Sequence, residues 1–194
     1  VTAESVWPVQ GLGWAYAGLP LNVTTPGENV GEFYSATNKL ISNVLDLAAR
    51  PGPLLYTIDA LLADPALINP AVEELLRFES PLQLNNRRST APVEISDRTL
   101  PAGTFITLGI GAANRDPAEF ADPERLDIAR KPNNHLAFGQ GAHACSGMNV
   151  ARLEGRIAIG ELVRRFPKLG LAGAPLRDRR VRFRGLRSLP VTLG

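Results

Sequence analysis

The chain has 194 residues, of which 44% are hydrophobic and 21% are charged, with a formal net charge of +2. These values are typical of one ordinary globular domain with a real core, and they give no reason to expect nucleic acid as a partner. Because the sequence has no run of about 18 apolar residues and only one cysteine, we expect no membrane span, no internal disulfide and a cytoplasmic location.

The first third of the chain predicts an irregular segment followed by helices. Residues 1 to about 30 are rich in Gly, Pro and Trp without a period, so we interpret 1–30 as an irregular N-terminal segment. Apolar spacing predicts a helix from Glu32 to about Ala49, ended by Arg50-Pro51-Gly52-Pro53. A second short helix is predicted from Leu54 to Leu62.

A third helix is marked by its expected start at Asn69-Pro70, a capping side chain followed by proline at the first helical position. This helix is predicted to close before Pro81. Glu74 and Arg77 lie three residues apart within it and therefore share one face. On local grounds such a pair is usually a solvated surface pair of little energetic value.

The second half of the chain predicts short strands, turns and one long helix. Strands and tight turns are expected from Gln83 to Ile110, with a buried strand at Phe105 to Ile110. An irregular meander then leads to a cysteine-containing loop and a helix from about Met148 to Phe166. The segment Arg177 to Arg184 alternates arginine with apolar residues and predicts a strand with one solvated face, and Leu186 to Leu193 is also strand-like.

Two other interpretations of the arginine-rich segment stay open at this point. An RNA-binding strip is disfavoured because no aromatic platform for base stacking accompanies it. A docking surface for an acidic electron-transfer partner is the other alternative.

The cysteine-containing loop is the most informative part of the sequence. Phe138 opens it, glycines allow tight turns and close backbone approach to a flat ligand, and a helix begins directly after Cys145. A thiolate at a helix N-terminus is stabilised by the helix dipole and by free backbone N–H groups. The loop therefore favours an anionic sulfur that binds iron.

Other interpretations of this cysteine remain open. An inert buried cysteine is the common case when composition alone is considered. A zinc site needs about four ligands, and Cys145 with His135 and His143 falls short of that number. A Cys–His nucleophile lacks an evident third group, and a phosphate-binding loop lacks its usual Lys and Ser/Thr.

Together these residues resemble the C-terminal part of a cytochrome P-450 of the soluble bacterial type. The loop Phe138 to Gly147 matches the haem-binding signature Phe-Gly-x-Gly-x-His-x-Cys-x-Gly. Glu74 to Arg77 matches the Glu-x-x-Arg helix, and Pro123-Glu124-Arg125-Leu126 is similar to the meander motif. The resemblance implies a mainly α fold with small β-sheets, the C-terminal part of the cytochrome P-450 fold with its N-terminal half missing, over residues 31–194.

The resemblance also implies roles for single residues around haem b. Cys145 would be the axial ligand of the haem iron, and Glu74, Arg77 and Arg125 would form a buried structural triad. The remaining residues implied to bind the cofactor are Arg87 and His143 at the haem propionates, with Phe138, Gly139, Gly141 and Gly147 around the sulfur. Residues Leu82 to Asn86 would border the distal pocket.

The distal helix departs from the family pattern. In the register that places Leu40 to Asn43 on the oxygen-binding helix, the acid position holds Ser35 and the alcohol position holds Ala36. Thr37 is interpreted as a remnant of the distal alcohol. Because the acid–alcohol pair guides protons to bound dioxygen in the family, this departure predicts slow or uncoupled cleavage of the O–O bond.

We therefore expect a haem-thiolate oxidoreductase of the monooxygenase type, which inserts one oxygen atom from dioxygen into a small organic substrate. Its expected partners are a ferredoxin-type electron donor with its reductase. The alternatives are a truncated haem-binding protein without monooxygenase activity, or a gene remnant. For a half-domain, a second polypeptide or self-association is expected to cover the exposed face.

Overall fold

The computed structural model describes residues 51–177 and 180–193. The irregular segment predicted over 1–30, the helix predicted from Glu32 to Ala49 and the distal residues Ser35, Ala36 and Thr37 lie outside the described residues. None of the helices in the described part of the chain has the length and apolar character that crossing a bilayer requires.

The described helices differ in length, and two of them dominate the fold. Their bounds are α1 Pro51–Ala63, α2 Ile68–Phe78, α3 Ile110–Ala113 and α4 Met148–Arg165. Short 3₁₀ turns precede α2 at Pro65–Leu67 and precede α4 at Gly141–His143.

Short antiparallel strand pairs make up the sheet part of the described residues. The strands are β1 Leu84–Arg88, β2 Val93–Ile95, β3 Arg98–Leu100, β4 Phe105–Gly109, β5 Gly170–Leu171, β6 Leu176–Arg177, β7 Leu186–Ser188 and β8 Val191–Thr192. The pairs are β1 with β4, β2 with β3, β5 with β8, and β6 with β7. This arrangement of helices with small sheets is the predicted fold class.

The start predicted for the second helix is wrong, whereas the helix predicted to end at residues 50–53 lies outside the described residues. Helix α1 begins at Pro51 instead of Leu54. The first N–H groups of a helix have no partner within the helix, so prolines in the first turn lose no hydrogen bond.

The predicted cap of α2 is also corrected. The helix begins at Ile68, and Pro70 lies within its first turn. The side chain that caps this region is Asp64, whose Oδ1 accepts a hydrogen bond from the Ala66 backbone N at 3.0 Å and starts the 3₁₀ turn. Because that turn runs directly into α2, Asn69 has no helix start to cap.

The strand predicted at Phe105 to Ile110 is less buried than expected. Strand β4 alternates between exposed and half-buried residues, and Phe105 is 65% exposed. The sheet that contains β4 has only two strands, and every second residue of β4 is exposed, so one face of the strand is open to solvent.

The segment 177–184 does not form the strand that its alternation predicts. Strand β6 ends at Arg177, residues 178–179 lie outside the described part, and an isolated bridge joins Phe183 to Leu82. The Gln83 backbone N donates to the Arg182 carbonyl at 2.9 Å. The segment therefore pairs with the connection between α2 and β1 instead of extending a sheet.

The core lies where α1, α2 and α4 pack together. The buried hydrophobic residues that form it are Ile58, Leu61, Ala71, Val72, Leu75, Leu76, Phe78, Ile128, Ala137, Phe138, Ala151, Ile159, Val163 and Leu169. Helices α2 and α4 approach closely at Gly155, where an added Cβ would lie 3.2 Å from Val72 Cγ1. This contact fixes α4 against α2 and so fixes the start of α4, where the cysteine loop ends.

We predict that Gly155→Leu lowers the free energy of unfolding by about 1–3 kcal/mol, because the side chain overpacks the contact with Val72. The matched control is Gly160→Leu on the same helix, since an added Cβ at Gly160 meets nothing within 4 Å. Urea denaturation followed by circular dichroism measures both. Equal losses for the two variants would contradict this account of the packing.

Candidate functional site

The cysteine loop is shaped by two glycines in the left-handed backbone region. Gly139 has a φ of +69° and Gly141 a φ of +73°, a region that side-chain-bearing residues rarely adopt. The turn brings the Cys145 backbone N to the Phe138 carbonyl, with a hydrogen bond of 2.8 Å. Phe138 is 6% exposed and belongs to the core. The hydrogen bond therefore connects the Cys145 backbone to a buried core residue.

Cys145 lies directly before α4, as predicted. Gly147 is the N-cap residue of α4, and the Met148 backbone N donates to the Cys145 carbonyl at 3.2 Å. The cysteine is partly exposed and has no disulfide partner. Cys145 thus lies at the positive end of the helix dipole of α4, an environment that favours an anionic sulfur.

The outer side of the loop is open. Residues Gly139 to Ala144 are exposed, and an added Cβ at Gly141 would meet no atom within 4 Å. A planar group can therefore approach the backbone of the loop without meeting a side chain at Gly141.

Glu74 and Arg77 form a buried ion pair on α2. Both side chains are fully buried, and Arg77 Nε lies 2.8 Å from Glu74 Oε2. The other Arg77 nitrogens donate to Glu74 Oε1 and to the carbonyls of Asn114, Pro123 and Arg125. All the N–H groups of the guanidinium thus have acceptors, which is the condition under which a buried charge is tolerated.

The second arginine of this cluster is Arg130 and not Arg125, so this part of the sequence prediction is wrong. Arg130 Nε lies 3.1 Å from Glu74 Oε2, and the Arg130 side chain is 10% exposed. Arg125 is exposed, and it contributes its carbonyl oxygen, which accepts from Arg77 and Arg130. In the meander, the Arg125 carbonyl points inward and accepts a hydrogen bond from Arg77, whereas the Arg125 side chain is exposed.

Asn114 is a buried polar member of the site. Its Nδ2 donates to Ser80 Oγ at 2.5 Å, and its Oδ1 accepts from the Leu136 backbone N at 2.6 Å. The Asn114 carbonyl accepts from Arg77. One side chain thus joins the end of α2 to the segment that leads into the cysteine loop.

A second ion cluster, also missed from the sequence, joins α2 to both ends of the cysteine loop. Arg152 on α4 donates to both Glu73 oxygens, with Nε–Oε1 of 2.7 Å and Nη2–Oε2 of 2.9 Å. His135 Nε2 lies 3.0 Å from Glu73 Oε2. Burial disfavours the ionised Glu73, but the hydrogen bonds from His135 and Arg152 outweigh it and hold the pKa of Glu73 at about 2.

The two predicted propionate-binding residues lie on different elements. Arg87 is half-buried on β1, and its Nη1 donates to the Asn86 carbonyl at 2.8 Å. His143 is exposed at the last position of the 3₁₀ turn before α4. Their contact with propionates stays a prediction.

A zinc site receives no support from the described residues. Within 51–177 and 180–193, no group of three or more His, Cys, Asp or Glu side chains is arranged to hold a metal ion.

The sequence model of the family described as Cytochrome P450 matches residues 60–170, a range that includes both ion clusters and the cysteine loop. The chain belongs to the cytochrome P450 family. The fold class predicted from the sequence is thereby confirmed as part of the P450 fold.

Individual relatives agree with this assignment. Cytochrome P450 107B1 of Saccharopolyspora erythraea is 45% identical over 167 residues, which cover 83% of this chain and 40% of the relative. The biotin biosynthesis cytochrome P450 of Bacillus subtilis is 46% identical over 161 residues, covering 82% of this chain and 40% of the relative. The chain therefore spans about two fifths of the length of these P450s.

Solved structures give the same result. The structure of P450BioI with an acyl carrier protein that carries a fatty acid has a TM-score of 0.75 and 42% identity, covering 84% of this chain and 43% of the other. The ligand-free P450 monooxygenase TamI has a TM-score of 0.75 and 40% identity, covering 81% of this chain and 39% of the other.

The cofactor of the family is haem b, and the cysteine loop fits it. The macrocycle supplies four nitrogen ligands itself, so the protein needs to provide one axial ligand at this side. The loop presents one partly exposed sulfur at a helix N-terminus, beside an open backbone edge at Gly141. These features match a single thiolate ligand beneath a flat group.

We predict that Arg130→Met lowers the free energy of unfolding by about 3–5 kcal/mol, because it removes one partner from a buried charge cluster. Arg125→Met, the matched control in the same meander, should change it by less than about 0.5 kcal/mol. Thermal and urea unfolding of both variants measure the difference. A larger loss of unfolding free energy in Arg125→Met than in Arg130→Met would contradict this result and support Arg125 as the third member of the triad.

The low pKa of Glu73 predicts a stability change in acid. Because the folded-state pKa of about 2 lies below the ordinary value of 4.5, the ionised Glu73 stabilises the fold above pH 4.5, and this contribution is lost as the pH falls toward 2. Glu73→Gln should therefore give a shallower fall of the unfolding free energy over this interval. Parallel curves for the variant and the native protein would show that Glu73 contributes nothing.

Proposed function

We propose that the chain acts as the haem-binding part of a cytochrome P450 monooxygenase, with Cys145 as the axial thiolate ligand of the iron. The observation that carries the proposal is the placement of Cys145, in a glycine-turned loop closed on buried Phe138 and followed at once by α4. The reaction would insert one oxygen atom from dioxygen into a small organic substrate.

Four residues of the loop are expected to hold the cofactor. Bound haem supplies the oxygen and electron chemistry, and the Cys145 thiolate tunes its electronics. The hydrogen bond from the Cys145 N–H fixes the backbone that presents the sulfur. Gly139 and Gly141 give the left-handed turns that leave the edge of the loop open. Gly147 caps α4 behind the sulfur.

We expect Arg87 and His143 to bind the propionates at the edge of the cofactor. The Arg87 guanidinium on β1 would pair with one propionate. His143, exposed on the turn that precedes Cys145, would donate to another. The propionates at the edge of the macrocycle would thus have hydrogen-bonding partners from the protein.

The names of two relatives support an organic substrate that is hydroxylated. Two relatives are named as hydroxylases: the vitamin D(3) 25-hydroxylase of Pseudonocardia autotrophica, 43% identical over 166 residues, and the 6-deoxyerythronolide B hydroxylase of Saccharopolyspora erythraea, 41% identical over 133 residues. We expect a small organic substrate, a ferredoxin-type electron donor with its reductase, and a cytoplasmic location, where an unpaired Cys145 stays reduced. The distal roles predicted for Ser35, Ala36 and Thr37 remain predictions.

The test is the absorption spectrum of the haem-loaded chain after reduction and exposure to carbon monoxide. Thiolate ligation should give a strongly red-shifted Soret band, and Cys145→Ser should abolish that band because an alcohol does not replace an anionic sulfur. Ser146→Ala, a change at the exposed neighbouring residue, should leave the band unchanged. A band typical of a neutral ligand in the native chain would overturn the proposal.

A further inference from the structure

The Asn114 side chain connects the end of α2 to the segment that enters the cysteine loop. Its Nδ2 donates to Ser80 Oγ at 2.5 Å, and its Oδ1 accepts from the Leu136 backbone N at 2.6 Å. Ser80 and Asn114 are both fully buried. We call Ser80, Asn114 and Leu136 the amide bridge. Its two contacts join residues that are 34 and 22 positions apart in the chain.

The amide bridge has one consistent arrangement of donors and acceptors. A backbone N–H only donates, so the amide oxygen of Asn114 must face Leu136 and its nitrogen must face Ser80. The Ser80 hydroxyl donates its proton to the Leu76 carbonyl at 2.9 Å, and it is therefore an acceptor toward Asn114. Asparagine carries the acceptor and the donor that this position requires on one short side chain.

The backbone of Asn114 is held independently of its side chain. The Asn114 carbonyl accepts from Arg77 Nη1 at 2.8 Å, and the Asn114 N–H donates to the Ile110 carbonyl at 3.0 Å. The amide therefore extends from a fixed part of the chain. Loss of the Ser80 hydroxyl alone should leave the Asn114 oxygen beside the Leu136 N–H, so the two halves of the bridge can be tested separately.

Hydrogen bonds continue from Leu136 into the cysteine loop. The Leu136 carbonyl accepts from the Gly139 backbone N at 2.8 Å, and Gly139 has the positive φ that turns the chain. The neighbouring Phe138 carbonyl accepts from the Cys145 backbone N, also at 2.8 Å. The position of the Leu136 backbone therefore affects both hydrogen bonds that close the turn.

We propose that Asn114 is a positioning residue for the cysteine loop: its side-chain oxygen holds the Leu136 backbone in place relative to α2, and so holds the turn that presents Cys145. This inference deepens the proposed function and rests on it only for the role of the sulfur as a ligand. The role requires the acceptor at Asn114 Oδ1, and it involves no change of charge or protonation.

The first test is amide hydrogen exchange in the native, haem-free chain, read residue by residue by NMR. If the bond to Asn114 holds the turn, the N–H groups of Leu136, Gly139 and Cys145 open together and share one opening equilibrium. An opening of Leu136 that is more than about tenfold more frequent than that of Gly139 and Cys145, a difference of about 1.4 kcal/mol, would overturn the proposal. The bond would then break while the turn stays closed.

The second test compares variants in which one half of the bridge is lost. Asn114→Leu removes the acceptor and should accelerate exchange at Gly139 and Cys145 by about tenfold, the scale of one net hydrogen bond, beyond the change expected from its global stability. Ser80→Ala keeps the acceptor, so its loop exchange should change only as its global stability does. Asn114→Asp also keeps an acceptor toward Leu136 and should lie nearer to Ser80→Ala. Urea denaturation of each variant gives its global stability.

The matched control is a second asparagine of the same segment. Asn134 Nδ2 donates to Glu119 Oε1 at 3.0 Å, and this contact is exposed. Asn134→Leu should leave exchange at Gly139 and Cys145 unchanged. Equal acceleration by Asn134→Leu and Asn114→Leu, or loop exchange that follows global stability in every variant, would overturn the positioning role.

The third test measures how fast the haem-loaded variants lose haem to an excess of apomyoglobin. Asn114→Leu should lose haem faster than the native chain, and Asn114→Asp should lie between the two, because it keeps an acceptor for Leu136. A rate of haem loss in Asn114→Leu that equals the native rate would overturn the proposal, because the turn would then hold the cofactor without Asn114.

The two proposals fail in different ways. A native chain without a thiolate band overturns the proposed function, while amide exchange in the haem-free chain still decides whether Asn114 holds the turn. A native thiolate band, combined with a Leu136 N–H that opens independently of Gly139 and Cys145, leaves the proposed function intact and overturns the role of Asn114.

Discussion

The buried ion pair between Glu74 and Arg77 is the interaction on which the rest of the described fold depends. Transferring two full charges from water to the protein interior costs free energy of folding, and this cost is offset only when their hydrogen-bonding groups have partners. Arg77 obtains these partners from three carbonyls of the meander, and Glu74 obtains them from the Asp127 N–H, Arg130 and Asn133. The path of the irregular meander backbone is therefore determined by the hydrogen bonds that the buried Glu74 and Arg77 side chains require.

This dependence explains how a segment without regular structure can position a site. The meander from Asn114 to Leu136 is made of turns, so it has no ladder of backbone hydrogen bonds of its own. The side chains of Arg77 and Asn114 provide hydrogen bonds in place of such a ladder. The Asn114 side chain also accepts a hydrogen bond from the Leu136 backbone N–H, just before the cysteine loop. These contacts position the cysteine loop relative to α2, so the position of the loop does not depend on its own sequence alone.

The sequence predicts the local features of the site well because they depend on local chemistry. The glycines of the cysteine loop, the start of α4 and the Glu74–Arg77 spacing are properties of a few neighbouring residues. The choice between Arg125 and Arg130 is different, since both lie in the same irregular segment and only the direction of the backbone decides which side chain points inward. The contact of Glu73 with Arg152 spans 79 residues, and no local pattern indicates it.

The pairing of the C-terminal segment with the connection between α2 and β1 has a consequence for folding. The contact of Arg182 with Asn85 joins residues 97 apart, and the bridge from Leu82 to Phe183 closes a loop of similar size. Contacts of long sequence separation form slowly, because a large loop must be ordered before they are made. During synthesis on a ribosome, the connection beside α2 therefore lacks its native backbone partners until residues 182 and 183 have emerged, whereas both strands of the β2–β3 hairpin leave the exit tunnel together.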